Sequence, residues 1–228
     1  MSALRRYKPY PAYKDSGVEW LGKIPAHWDV KRLKRVFRVV NGSTPASGEP
    51  EFWNGDIPWV TPEDLGDLSG KTIESTRRHI TNSGYRSCGT TLVPAGSLVL
   101  STRAPIGHLA LAGVDICTNQ GCRSLVFRNT SSRDFFFYEL LAVRPELESL
   151  GQGSTFRELA KGMLEDVALT DPPEPEQGAI AAFLDRETAR IDTLIAKVRE
   201  AIDRLKEFRT ALISAAVTGK IDVREEVA

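Results

Sequence analysis

The chain has 228 residues, with 30 basic and 30 acidic side chains, 41% apolar positions and 26% charged ones. That length holds one sizeable domain with an appendage, or two small domains, and the balance is that of an ordinary soluble globular protein. No uncharged run of about 18 residues exists, and Arg5-Arg6 is not followed by an apolar stretch, so neither a membrane span nor a secretory signal is expected.

Cys88, Cys117 and Cys122 are an odd set without a Cys-x-x-Cys pair, and His27, His79 and His108 are scattered. A metal site is therefore not expected, and a reducing cytoplasm fits the cysteine usage. The zero net charge is unevenly distributed. Residues 1–40 hold ten Lys or Arg against only Asp15, Glu19 and Asp29. A basic segment of this kind can steer a phosphate backbone, although a solvated basic face is the commoner meaning of such a run.

In chain order, residues 1–22 read as a polar, aromatic arm with Tyr7, Tyr10 and Tyr13, ending at a Val18–Gly22 turn. Trp28–Val40 reads as a basic amphipathic helix, because Val30, Leu33, Val36, Phe37 and Val40 fall at helical spacing; a strand from Arg35 onward is the alternative. Asn41–Gly70 is punctuated by Gly and Pro, which predicts loops and short strands without helices. A turn at Pro94-Ala95-Gly96 separates the apolar runs Leu92-Val93 and Leu98–Leu100. Further strands are expected over His108–Ala112 and Cys122–Phe127, and a helix over Phe135–Val143 stopped by Pro145. Thr155 and Glu158 have capping-box spacing, so a helix is expected from there, its first N–H groups able to attract an anion.

Pro172, Pro173 and Pro175 bar a helix through that point. Beyond them Leu184, Ile191, Val198, Leu205 and Leu212 recur at sevens, and Leu194, Ala201, Phe208 and Ala215 fill the second core position with only Glu187 breaking the row. Such a heptad stripe is the mark of a coiled coil. The helix would span about 60 Å at 1.5 Å per residue, against a body of about 40 Å for the preceding residues. It is therefore expected to project and to need a partner helix, the alternative being a long core helix on its own domain. Gly219 is placed to stop it. The fold class read from these elements is α+β: a β-rich domain over residues 1–170, then one long coiled-coil-forming helix and a short tail over residues 171–228.

Catalytic signatures are sparse. Asp171-Pro172-Pro173-Glu174 invites comparison with the Asp-Pro-Pro-Tyr motif of amino-methyltransferases, but Glu174 cannot stack on a base and no glycine-rich cofactor loop follows a strand upstream. A phosphate-binding Gly-x-x-x-x-Gly-Lys loop is absent, and Ser154 lacks a nucleophile elbow. The chain reads as a recognition module, not an enzyme. A coiled-coil adaptor with a protein-binding β-rich domain and, more remotely, an adenine methyltransferase are the rival readings.

Five stretches together resemble the specificity subunits of type I restriction-modification enzymes. They are Tyr13–Gly22 through Pro25–Trp28; Gly42–Pro45 with Ile57–Val60; Ala104–Gly107 with Asn119–Gly121; Gly153–Phe156; and Pro172-Pro173 with Glu176-Gln177, Leu184-Asp185, Ile191-Asp192 and Ala216–Asp222. The resemblance implies two target-recognition domains, each reading half of a split duplex DNA sequence, with two spacer helices pairing antiparallel between them. It also implies docking to modification subunits, which methylate adenine with S-adenosylmethionine, and through the complex to restriction subunits that use ATP and Mg²⁺. No cofactor is expected in this chain itself.

One recognition domain and one spacer helix stand here where the family usually has two of each. The chain begins with Met and ends on the family's closing phrase, which points to a half-length subunit. It would form a homodimer through Leu184, Ile191, Leu194, Val198, Leu205, Phe208 and Leu212, and so read an inverted repeat. Recognition loops vary within the family, so contacts are chosen by chemistry. Arg103, Asn119, Gln120 and Arg157 are expected on bases, and Arg77, Arg78 and Lys161 on phosphates. Ser43, Thr44, Ser154 and Thr155 are expected to add hydrogen bonds to the backbone.

Overall fold

The computed structural model describes residues 7–129, 132–153 and 157–225. The aromatic arm closes into a hairpin in which β1 (Tyr13–Asp15) pairs antiparallel with β2 (Lys23–Pro25). The turn between them is the expected one, with the Leu21 and Gly22 N–H groups donating to Val18 O at 3.1 and 3.0 Å.

The amphipathic helix expected over Trp28–Val40 does not form. Instead β3 (Asp29–Arg32), a single turn α1 (Leu33–Val36) and β4 (Phe37–Asn41) follow one another. The strand alternative holds from Phe37, where β-branched Val39 and Val40 favour an extended chain. The backbone of β4 finds a five-residue antiparallel ladder with β11 (Cys122–Phe127), and that ladder outweighs the local helical spacing.

A 3-10 turn at Pro50–Phe52 leads into β5 (Trp53–Val60). α2 (Pro62–Asp67) then corrects the expectation of a helix-free Asn41–Gly70 segment. Thr61 Oγ1 accepts from the Asp64 N–H at 3.3 Å, Asp64 Oδ2 accepts from the Thr61 N–H at 2.8 Å, and Pro62 sits in the first turn. That reciprocal cap starts a helix despite the surrounding punctuation. Next come β6 (Thr72–Ile73), β7 (His79–Ile80), α3 (Asn82–Ser87), β8 (Leu98–Ser101), β9 (Leu109–Ala112) and β10 (Cys117–Thr118). The turn at Pro94–Gly96 forms, with Ser97 N–H on Pro94 O at 3.1 Å.

α4 (Arg133–Ala142) ends before Pro145, and α5 (Arg144–Ser149) uses that proline in its first turn. The helix expected from Thr155 begins only at Lys161, as α6 (Lys161–Glu165), and Thr155 lies outside the described residues. Glu158 is not helical, because its N–H and C=O bond with Gln152 at 2.8 and 3.0 Å. β12 (Ala168–Asp171) pairs with β3, and α7 (Glu174–Val217) runs 44 residues.

β4, β11, β8, β9 and β6 form one five-stranded sheet, parallel only between β6 and β9. Alternation along its strands feeds two cores. Leu98, Leu100 and Leu125 join Phe37, Phe136 and Leu140 on one face, while Val99, Ala110 and Cys122 join Val60, Ile73 and Ile116 on the other. A second sheet, β10-β5-β7, has its own small core of Trp53, Trp59, Ile80 and Cys117. This is the α+β architecture expected from the sequence.

The chain divides into two compact units, Met1–Ala181 and Ala182–Ala228. In the first, Glu176 on the opening turn of α7 accepts from Tyr10 Oη at 2.5 Å and lies 2.8 Å from His27 Nε2, which fastens the aromatic arm. Burial would raise the Glu176 carboxyl, but these hydrogen bonds hold it below the usual carboxylate range. Burial and the bond to Glu176 push the Tyr10 phenol up to about 12. In the second unit no other element covers the helix among the described residues, and Ile191, Leu194, Val198, Leu205, Phe208 and Leu212 are exposed. Gly219, at φ +70°, closes it: Lys220 N–H bonds Ala215 O at 2.8 Å and Gly219 N–H bonds Ala216 O at 3.2 Å. Among the described residues no helix is long and apolar enough to cross a membrane.

Glu139 on α4 is buried and ties that helix to β12, its Oε1 accepting from the Thr170 hydroxyl at 2.7 Å and from the Thr170 N–H. Burial pushes its carboxyl up to about 8, against the pull of those hydrogen bonds. The folded chain therefore holds a proton that the unfolded chain releases near the ordinary value of 4.5, and stability declines as pH rises between the two. Glu139→Gln should remove that decline, worth at most about 1.4 kcal/mol per pH unit. Denaturant unfolding at pH 5 and pH 8 checks this: the variant's stability relative to wild type should rise between the two.

Candidate nucleic-acid interface

Strand register brings the candidate loops to one edge of the main sheet. Asn41 at the end of β4 pairs with Arg123, and Ser101 at the end of β8 pairs with Cys122, at the start of β11. The segments that leave these ends, 42–45, 102–107 and 119–121, must therefore emerge side by side.

They are bonded to one another. Gly42 lies so close to the 118–119 backbone that a Cβ there would fall 1.9 Å from Asn119 O, so only glycine permits the approach. Ser43 N–H donates to Thr118 O at 2.9 Å, and Trp59 Nε1 donates to Ser43 O at 2.9 Å. The Thr44 hydroxyl donates to the Gln120 side-chain oxygen. Asn119 Oδ1 accepts from Gly121 N–H at 2.9 Å, an Asx turn that shapes the 119–121 loop. Gly121 O accepts from the Thr102 and Arg103 N–H groups at 2.8 and 3.2 Å, and Leu159 N–H reaches Thr102 O at 2.8 Å.

A charged chain runs beneath these loops. Glu158 accepts from Arg103 Nε at 3.0 Å through one carboxylate oxygen and from Arg123 Nη2 at 3.3 Å through the other. Arg123 is only 9% exposed, and its Nη1 donates to Gln120 O at 3.0 Å and Cys122 O at 3.2 Å. A buried guanidinium is costly unless it is paired and hydrogen-bonded, and Glu158 supplies the opposite charge.

The other expected residues fall in different settings. Arg77 is ion-paired with Glu63 and Asp67 of α2, and its N–H donates to Asp64 Oδ1 at 3.0 Å. Arg78 lies over Trp53, its guanidinium carbon 3.5 Å from the ring centroid, a cation–π contact. It borders an open cleft of about 700 Å³, also lined by Trp59, Pro62, Asp67, Pro105 and His108. The Arg157 guanidinium is turned onto the end of α5 and the turn after it, with Nη2 2.9 Å from Glu148 O and 3.2 Å from Gly151 O. Lys161 lies 3.6 Å from Glu165, one turn along α6. Ser154 and Thr155 lie outside the described residues. Ser43, Thr44, Arg103, Asn119 and Gln120 thus meet at one place, while Arg157 and Lys161 are held separately.

Sequence reasoning missed Arg123 and Glu158. A usable signal existed: Arg123 is the one charge in the apolar run Cys122–Phe127, and a charge inside a central strand demands a partner. No group of three or more His, Cys, Asp or Glu side chains suited to a metal ion occurs among the described residues.

The type I restriction modification DNA specificity domain family matches residues 25–204. The MjaIX specificity subunit of Methanocaldococcus jannaschii is 37% identical over 166 residues, which are 72% of this chain and 38% of that protein. A chain from a solved type I restriction-modification complex superposes with a TM-score of 0.73 at 25% identity, covering 94% of this chain and 50% of the other. The HsdS subunit of Thermoanaerobacter tengcongensis shares the fold, with a TM-score of 0.65 at 24% identity over 96% of this chain and 50% of that one. The chain spans half or less of the length of these relatives. With the matched residues running from β2 well into α7 and the loop cluster between them, the chain belongs to the type I restriction modification DNA specificity domain family.

Proposed function

We propose that this chain is a sequence-specificity component of a type I restriction-modification system. It reads one half of a split duplex DNA target and docks the modification subunits. The chain itself is not catalytic: adenine methylation with S-adenosylmethionine, and any cleavage powered by ATP and Mg²⁺, belong to partner subunits. The observation that carries this reading is the bonded cluster of the 42–45, 102–107 and 119–121 loops at one sheet edge. It gathers an arginine, an asparagine, a glutamine and a threonine, the side chains able to match base edges.

Within that reading Arg103, Asn119 and Gln120 are the base-reading candidates, with Ser43 and Thr44 beside them. Arg78, on the cleft shared with Pro105, is better placed for DNA than Arg77, whose charge two carboxylates already offset. Arg157 and Lys161 stay as backbone contacts at most, since their charged ends are engaged within the chain. Ser154 and Thr155 remain candidates from the sequence alone.

The second part of the reading is a homodimer. An isolated amphipathic helix gains most of its stability by burying its apolar face. Here the face that repeats at sevens is exposed from Ile191 to Leu212, with Leu184 half-buried at its start. Two copies paired antiparallel through Leu184, Ile191, Leu194, Val198, Leu205, Phe208 and Leu212 would cover both stripes. They would present two reading heads related by a two-fold axis, and hence read an inverted repeat. A protein-binding adaptor would share the helix but not the loop chemistry, and duplex-DNA affinity that falls steeply with salt separates the two.

Two outcomes test this. Arg103→Ala should weaken binding to the cognate duplex by about 1–3 kcal/mol while leaving mixed-sequence binding nearly unchanged. The cognate motif is read by mapping adenine methylation in cells that co-express the modification subunits, and an asymmetric motif would count against the homodimer. Val198→Glu with Leu205→Glu should turn a dimer into a monomer in sedimentation at micromolar concentration without lowering the unfolding temperature of the first unit. A wild-type chain that sediments as a monomer would reject the paired-helix arrangement.

A further inference from the structure

We infer that Glu158 is the positioning residue of the DNA-reading cluster: it locks Arg103 so that only the outer edge of its guanidinium is offered to a base. The inference rests on the DNA-reading proposal and deepens it. Glu158 contributes no donor to DNA and carries the wrong charge for a phosphate, yet it bonds Arg103 of the 102–107 loop directly and reaches the 119–121 loop through Arg123. Its backbone bridges both Arg103 and Gln152. Its carboxylate divides between the exposed Arg103 and the buried Arg123, and Arg123 in turn holds Gln120 O.

The geometry of the Arg103 contact is specific. Glu158 engages Nε at 3.0 Å, and among the described residues neither Nη of Arg103 has a protein partner. A guanidinium held at Nε keeps its two Nη groups as a planar fork, the edge that can reach the paired acceptors of guanine in the major groove. Left unrestrained, an arginine side chain would have to be ordered on binding, at a cost in affinity. Arg123 supplies the fixed end: buried, and bonded to Gln120 O and Cys122 O, it anchors the carboxylate that orients Arg103. The line Thr44–Gln120–Arg123–Glu158–Arg103 thus links the separate loops through side chains and one main-chain carbonyl.

Gln at 158 keeps the shape but can accept from only one of the two arginines, because its amide N–H₂ repels the other. Glu158→Gln, Arg103→Lys and the double variant are made in the full chain. Each is titrated against the wild-type methylation motif in a duplex and against a mixed-sequence duplex of the same length. Glu158→Gln should lower the ratio of the two affinities about tenfold, with mixed-sequence affinity equal or tighter because a negative charge has left the DNA face. Arg103→Lys, which keeps the charge but not the fork, should lose the same ratio, and the double variant should lose no more than either single one.

A full ratio in Glu158→Gln, or losses that multiply in the double variant, would overturn the inference. So would equal weakening on both duplexes together with a lowered melting temperature, since that is a purely structural role. If Glu158→Gln does not fold, Glu158→Asp, which keeps the charge for Arg123 one methylene short of Arg103, is read by the same ratio. A wild-type chain that binds both duplexes alike rejects the DNA-reading proposal and the inference with it. Discrimination by wild type that survives in Glu158→Gln rejects the inference alone.

Discussion

β11 lies between β4 and β8, and the two ladders it makes there are what the rest of the first unit depends on. Their register brings the ends of three strands level, and the loops that leave those ends have no choice but to meet. Because both faces of the sheet are buried, a shift of one residue along β11 would exchange the side chains of its two cores. Hydrophobic burial therefore sets the register, and the register sets the positions of polar loops that make no large contribution to stability themselves.

Arg123 is the exception carried inside that strand. It is charged and nearly buried, and its Nε finds no hydrogen-bond partner among the described residues. A well-packed apolar residue there would serve stability at least as well, since buried ion pairs seldom repay their desolvation. Its contacts instead join Glu158, Gln120 and the main chain into one rigid patch. Local cost at a site where several loops must hold fixed relative positions is the pattern expected of a recognition surface.

The second unit obeys different physics. Its helix is specified by periodicity and by its stops, and among the described residues of that unit its apolar stripe finds nothing to pack against. The first unit buries its own hydrophobic patterning internally, whereas the second leaves Ile191, Leu194, Val198, Leu205, Phe208 and Leu212 exposed. The opening turn of α7 belongs to the first unit, where Glu176 receives Tyr10 and His27 and the aromatic arm is tied down.

Features governed by neighbours in the chain were legible without coordinates. The heptad stripe, the Gly219 stop, the Pro94–Gly96 turn, the strand at Cys122–Phe127 and the helix ending before Pro145 all follow from periodicity, missing N–H groups or glycine's freedom at positive φ. Local spacing misled over Trp28–Val40, where only Leu33–Val36 is helical, and at Glu158; there pairing with distant backbone outbid the helix that a short window favoured. The Thr61–Asp64 cap that starts α2 was local and readable, but was obscured by the glycines and prolines around it. The site itself was legible only as residue types. Thr44 bonds a residue 76 positions away, and Arg103 one 55 positions away, and no local rule reaches so far. The amino-acid sequence alone determined the long helix, its stops and which of its faces is apolar, because those follow from spacing along one chain. Only the tertiary structure decided which loops touch and which arginine is held, because strand register is set by the burial of the whole core.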